Sequence, residues 1–163
     1  MNRRSLARLT VQSPVGPLTL TERDGHIVAL HWGDDRYDDE TELLCRARRQ
    51  LDAYFDGARR EFDLPLAPEG SDYQRRVWRK LADIPYGETL SYGAFAKTTS
   101  TGARAAGTAC ASNPLPIILP CHRVVGGDGG LTGYSGGDGL ATKRYLLQME
   151  SASLLQMEGA SVA

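Results

Sequence analysis

Ser91-Tyr92-Gly93-Ala94-Phe95-Ala96-Lys97-Thr98-Thr99-Ser100-Thr101-Gly102-Ala103-Arg104-Ala105-Ala106-Gly107-Thr108-Ala109-Cys110-Ala111 reads as two short helices joined by a turn. Ser91 is placed to cap the first helix, which runs through Tyr92, Phe95 and Ala96. The turn around Thr98 to Gly102 leads into a second helix that ends before Asn113-Pro114, because the residue preceding a proline is disfavoured in helical geometry. Two short helices on a tight turn form the helix-turn-helix pattern, which serves DNA binding in some proteins and plain packing in others. The second helix carries almost only small side chains, with Arg104 as its sole long cation, so its backbone is able to approach another surface closely. A protein core and a nucleic-acid groove both qualify as that surface.

Immediately downstream lies Ile117-Ile118-Leu119-Pro120-Cys121-His122-Arg123-Val124-Val125, a thiol between two apolar runs followed at once by an imidazole and a guanidinium. A free thiol is only a few per cent ionised near neutral pH, and a neighbouring base or cation makes it a strong nucleophile. Cysteine is equally at home as a small buried hydrophobe, and sequence adjacency does not bring the Cys121 and His122 side chains together. Local sequence leaves both readings open. Eight glycines follow between Gly126 and Gly139, interrupted by Leu131, Tyr134 and Ser135. With no GK[ST] after it, this stretch is not a nucleotide-binding P-loop and reads as the wall of a pocket. Leu140 to Glu150 resumes helical periodicity, and the tail from Ser151 to Ala163 shows no strong pattern.

Upstream, Ser71 caps a helix whose stripe is Tyr73, Val77, Trp78, Leu81 and Ile84, broken by Pro85-Tyr86-Gly87. Before it, Pro65 to Gly70 reads as a linker. The N-terminal part alternates in Leu18 to Glu22 and in His26 to Trp32 around Asp24-Gly25, a strong hairpin signal. A helix follows from Leu43 through Leu44, Ala47, Leu51, Tyr54 and Phe55 to Gly57, and Glu61 to Leu64 alternates as a further strand would. The expected class is α+β: residues 1–69 a small antiparallel sheet with a helix, residues 70–150 a mainly helical domain holding the helix-turn-helix and the cysteine loop, and residues 151–163 a tail.

The 163 residues are 41% hydrophobic with a formal net charge of -1, which suits packed cores and gives no electrostatic footprint of a nucleic-acid binder. Residues 1–69 carry 10 basic against 13 acidic side chains, and residues 70–163 carry 9 against 7, a weak division that permits DNA binding by the second part. No apolar run approaches the roughly 20 residues of a membrane span, and Met1 to Ser5 lacks the apolar region of a secretory signal, so a cytoplasmic protein is expected. Three widely spaced cysteines, Cys45, Cys110 and Cys121, point to reduced thiols, and His26, His31 and Cys45 lack metal-ligand spacing, so neither a metal nor a cofactor is expected.

Tyr73-Gln74-Arg75-Arg76-Val77-Trp78, Ile84-Pro85-Tyr86-Gly87-Glu88-Thr89, Ser91-Tyr92, Arg104-Ala105-Ala106-Gly107, Asn113-Pro114, Pro120-Cys121-His122-Arg123-Val124 and Gly133-Tyr134-Ser135-Gly136-Gly137, in this order, closely resemble the O6-alkylguanine-DNA alkyltransferases. The resemblance is dense over residues 71–150 and loose before them, through Ser13-Pro14-Val15-Gly16-Pro17-Leu18. It implies a ribonuclease H-like N-terminal domain and a single-turnover transfer of an alkyl group from O6-alkylguanine, or O4-alkylthymine, in duplex DNA to Cys121, without regeneration. It further implies His122 as a water-mediated base, Glu150 orienting it at a spacing from Lys143 that matches the family, and Asn113 as a hinge supporting the loop. Tyr92, Val124, Tyr134 and Ser135 would line the base pocket. Arg104 would enter the duplex as a finger, with Ala105, Gly107, Thr108 and Ala111 against the minor groove, and Arg123 would brace the loop. The partner implied is duplex DNA, bound by a monomer that could act cooperatively along it. The turn between Ala96 and Arg104 is about two residues shorter than in the family. A sequence-specific regulator and a cysteine hydrolase are the competing readings, poorly served by the small-residue helix and by the lack of a separate base motif.

Overall fold

The computed structural model describes residues 6–127, 130, 131, 133, 134 and 136–162, with side chains through residue 151. Ser135 therefore lies outside the described residues. Three strands, β1 (Leu6–Val11), β2 (Leu18–Arg23) and β3 (His26–Trp32), form an antiparallel sheet in that order. The β2–β3 hairpin turns on Asp24 and Gly25, both left-handed with φ of 51° and 79°, as a two-residue turn matching strand twist requires. Helix α1 (Glu42–Phe55) lays Leu44, Ala47, Leu51 and Tyr54 on the sheet, and its first turn is closed by the Thr41 hydroxyl accepting from the Leu44 amide at 3.0 Å.

The expected strand at 61–64 does not form. The side chain of Gln50 takes both backbone groups of Asp63, donating to its carbonyl at 3.0 Å and accepting from its amide at 2.8 Å, so a side chain replaces a ladder. Only the following residues reach β3, where Leu66 makes a single parallel bridge to Ile27, flanked by bonds from Ile27 N to Pro65 O and from Ala67 N to Ile27 O. Proline has no amide to extend a ladder.

The chain then passes over Trp78. A Cβ on Gly70 would sit 2.5 Å from that indole, so only glycine permits the crossing. Helix α2 (Asp72–Leu81) opens with a full capping box between Ser71 and Gln74, and Trp78 donates to Ala109 O at 2.8 Å, locking α2 against the second helix of the pair. Strand β4 (Leu90–Ser91) precedes α3 (Tyr92–Thr98), capped by Ser91, and α4 (Ala103–Ala111) ends before Asn113. The cysteine segment makes one 3-10 turn, Cys121–Arg123, and returns as β5 (Val124–Val125), which pairs in parallel with β4.

Helix α5 runs from Leu140 to Val162, so the segment from 151 continues the helix where no pattern was expected. Leu154, Leu155, Gln156, Met157 and Glu158 are good helix formers with no proline among them, so helix propagates although the amphipathic stripe fades. One apolar core links both halves, from Leu9, Leu20 and Tyr54 through Trp78 and Phe95 to Leu119 and Leu146.

Candidate active site

Cys121 starts the 3-10 turn, 8% exposed, its backbone amide bonded to Leu119 O at 2.8 Å. Asn113, at the exit of α4, donates from Nδ2 to Leu119 O at 2.8 Å and accepts at Oδ1 from Leu115 N at 2.9 Å. Its amide thus joins the end of the small-residue helix to the cysteine segment. Burial pushes the Cys121 thiol up, while hydrogen bonding from Asn113 and the nearby charge of Lys143 work against it. The resting group is a thiol that needs a base to react.

His122 and Glu150 are both fully buried, and His122 Nε2 lies 2.7 Å from Glu150 Oε2. Arg123 donates to the same carboxylate through Nε at 2.9 Å and Nη2 at 3.1 Å, and its Nη1 donates to Ile84 O at 2.7 Å. Tyr54, from α1, donates to Oε2 at 2.6 Å, and Gly87 N approaches Oε1 at 3.4 Å. Burial alone would raise the Glu150 pKa, but its bonds and charge interactions with His122 and Arg123 bring it down to about 2. The imidazole moves the other way: burial lowers it below its ordinary value, against the pull of Glu150. An ionised carboxylate only accepts, so neutral His122 carries its proton on Nε2, and the lone pair is on Nδ1. That nitrogen is buried without a protein partner among the described residues.

Lys143, on α5, is fully buried, donates to Val124 O at 2.6 Å and stands over the Tyr92 ring, 5.6 Å from its centroid. Val124, whose carbonyl takes this bond, is fully buried. A cavity of about 520 Å³ opens beside Cys121, its walls including Trp32, Cys110, Asn113, Pro116, Tyr134 and Gly137. Tyr134 therefore faces the same space as the thiol, whereas Val124 and Tyr92 are not among its walls. Tyr92 instead touches the edge of α4 and the glycine loop: a Cβ on Gly107 would meet its ring at 3.7 Å, and one on Gly133 would meet its hydroxyl at 2.9 Å.

On α4, Arg104, Ala105, Thr108 and Ala111 form one exposed face, and Gly107 is half-buried. The face begins over an open groove of about 780 Å³ shared with Tyr73 and Gln74 of α2, and its last residue, Ala111, reaches the cavity of Cys121. An approach path for a large ligand and the thiol are thus joined by one helix.

Sequence reasoning missed Tyr54 and Trp32, both from the N-terminal part. Trp32 donates to Val15 O at 3.0 Å and meets Tyr134 edge-on, with ring centroids 6.2 Å apart. A Cβ on Gly137 would lie 2.8 Å from the Trp32 nitrogen, and one on Gly136 would overlap its ring, so the Gly136-Gly137 pair marks where the loop lies flat on the indole. In the sequence the signal for Trp32 was the Gly136-Gly137 pair in the stretch read as a pocket wall; for Tyr54 there was none beyond its place on a core stripe.

Comparison with known proteins places these features in context. Residues 6–68 match the family model for the ribonuclease-like domain of 6-O-methylguanine DNA methyltransferase, and residues 72–152 match its DNA-binding domain. The methylated-DNA–protein-cysteine methyltransferase of Mycolicibacterium paratuberculosis is 46% identical over 150 residues, covering 86% of this chain and 90% of that protein. That of Methanosarcina barkeri is 42% identical over 154 residues, covering 88% and 96%. The crystal structure of Mycobacterium tuberculosis O6-methylguanine methyltransferase superposes with a TM-score of 0.81 at 40% identity, covering 91% of this chain and 94% of that one. The M. tuberculosis OGT in complex with DNA gives 0.81 at 42% identity, covering 90% and 94%.

Proposed function

Because the chain belongs to the 6-O-methylguanine DNA methyltransferase family, we propose that it repairs DNA by direct reversal, moving the alkyl group of O6-alkylguanine, or O4-alkylthymine, in a duplex onto Cys121. The observation that carries this reading is a buried thiol on a cavity wall, next in sequence to a neutral imidazole whose far nitrogen is tied to an ionised carboxylate. The thiol proton passes through a water to His122 Nδ1, and the imidazolium so formed is balanced by Glu150. The thiolate then forms an S–C bond as the C–O6 bond breaks, the electron pair stays on O6, and the released guanine takes up one proton. Thiol hydrogen and alkyl group have exchanged places, and the thioether is stable, so each molecule acts once.

Inside a stacked duplex the alkyl carbon is out of reach, and rotating the nucleotide out costs a few kcal/mol. Arg104 fills the vacated stack, Tyr92 presses on the target's phosphate, and Ala105, Gly107, Thr108 and Ala111 let α4 lie shallowly in the minor groove. That groove presents a degenerate pattern, which suits a protein that reads damage rather than sequence. Tyr134 and Ser135 flank the flipped base, with Val124 behind them, while Asn113 supports the loop. The reading includes a DNA-engaging unit at 70–150 with the N-terminal unit at 1–69 behind it, a monomer on DNA, and a cytoplasmic setting, where thiols stay reduced.

Incubation with duplex DNA bearing O6-methylguanine tests it. The expected result is a mass gain of about 14 Da on the peptide containing Cys121, one methyl per molecule as for a single covalent acceptor, absent in Cys121→Ser. Repeated turnover, or unmodified Cys121 after exposure to the lesion, overturns it.

A further inference from the structure

We propose that Tyr54, in the N-terminal part of the chain, is a positioning residue for alkyl transfer: its hydroxyl, bonded to Glu150, limits how tightly that carboxylate holds the proton of His122. The inference rests on the proposed function and adds to it a role for the other half of the molecule.

Tyr54 reaches Glu150 across 96 positions of sequence, and it binds Oε2, the oxygen that accepts from His122. Its ring is fixed by Phe55, Phe62 and Tyr86, with centroids 5.2, 5.4 and 6.2 Å away, so the hydroxyl has little freedom to turn aside. Packing alone would be served by phenylalanine, since burying a hydroxyl is costly unless it is bonded. Here the hydroxyl and the imidazole N–H draw on the same lone-pair density at nearly equal distances, 2.6 and 2.7 Å. Each weakens the other's hold. With Tyr54 in place, Glu150 orients the imidazole without binding its proton so strongly that the base is protonated before the thiol needs it.

The remaining charges around this pair come from several elements. Arg123 on the 3-10 turn and Lys143 on α5 both disfavour the imidazolium, and Gly87 N adds a weak donor. Tyr86 lies against Tyr54, with Arg123 and Arg60 over its ring at 5.6 and 5.8 Å, and Cys121 and Cys110 interact with Lys143. Of these groups Arg123 also donates to Oε2, through Nη2 at the longer distance of 3.1 Å. Burial, then the Glu150 charge, raises the Tyr54 phenol well above its ordinary value, so it remains a donor throughout the working range.

The test is the pH dependence of Cys121 alkylation by free O6-benzylguanine, which needs no base flipping, from about pH 4.5 to 9. Tyr54→Phe is expected to move the acid limb upward by about half to one pH unit, because the freed carboxylate binds the imidazolium more strongly. Site-specific 3-fluorotyrosine at position 54, a better donor of nearly the same shape, is expected to move it downward and keeps the test open if Tyr54→Phe does not fold. Leu51→Ala, on the same helix face but with an apolar side chain that makes no hydrogen bond to Glu150, controls for loss of stability and should leave the limb in place. An acid limb unmoved by either change at Tyr54 overturns the inference, as does one displaced equally by Leu51→Ala. Absence of alkylation in the unmodified protein would instead strike the proposed function.

Discussion

The carboxylate behind Cys121 and the cavity in front of it are built by opposite means. Glu150 accepts from Tyr54, His122, Arg123 and Gly87, which come from an N-terminal helix, the 3-10 turn and the turn after α2. Directional bonds from distant segments fix it. The walls of the cavity include Ala29, Ala111, Gly133, Gly136 and Gly137 beside the rings of Trp32 and Tyr134, and at those small residues its shape depends on side chains that are missing. A proton carrier must be held to a fraction of an ångström, whereas a wall against an incoming base must leave room for it.

The largest expected effect breaks the rigid side. Glu150→Gln leaves Arg123 buried without its ionic partner and His122 without a negative partner, so a stability loss of about 3 kcal/mol or more and a drop of about 100-fold in transfer rate are expected, by denaturant melts and single-turnover kinetics. Acid should act on the same group more gradually. The Glu150 pKa is about 2 in the fold against an ordinary 4.5, so its stabilisation is present above pH 4.5 and is lost as the pH falls towards 2, about 3 kcal/mol in all. His122, also depressed, adds a loss that begins as the pH falls below its ordinary 6.5. Melting temperature measured from neutral pH downward should therefore fall in two stages, and the lower stage should be missing in Glu150→Gln.

The smallest effect concerns the open side. Arg104→Ala should slow repair of duplex substrate by about tenfold, since the finger offsets part of an unstacking cost of a few kcal/mol, and should leave reaction with free O6-benzylguanine unchanged. Equal losses on both substrates would place Arg104 with the rigid machinery and erase the contrast.

Legibility followed the range of the interaction. The hairpin at Asp24-Gly25, the caps at Ser71 and Ser91 and the limits of α4 were readable because each depends on neighbours in sequence. The strand expected at 61–64 failed because Gln50, on another element, took the backbone groups of Asp63. Beyond residue 150, periodicity was the wrong guide: a run of good helix formers without proline continues α5 to Val162. Within the site, the Pro120-Cys121-His122-Arg123 run and the partnership of Glu150 were visible through resemblance. Tyr54 looked like any core aromatic, and Trp32 like any strand residue.

By itself the sequence determined which local elements form and which residue types are available for chemistry, because turns, caps and short motifs are written within a few residues. Only the tertiary structure decided that an N-terminal tyrosine and a C-terminal glutamate share one hydrogen bond, and that Trp32 underlies the glycine loop. Such contacts follow from packing one core across the whole chain, and no local pattern encodes which distant side chains meet.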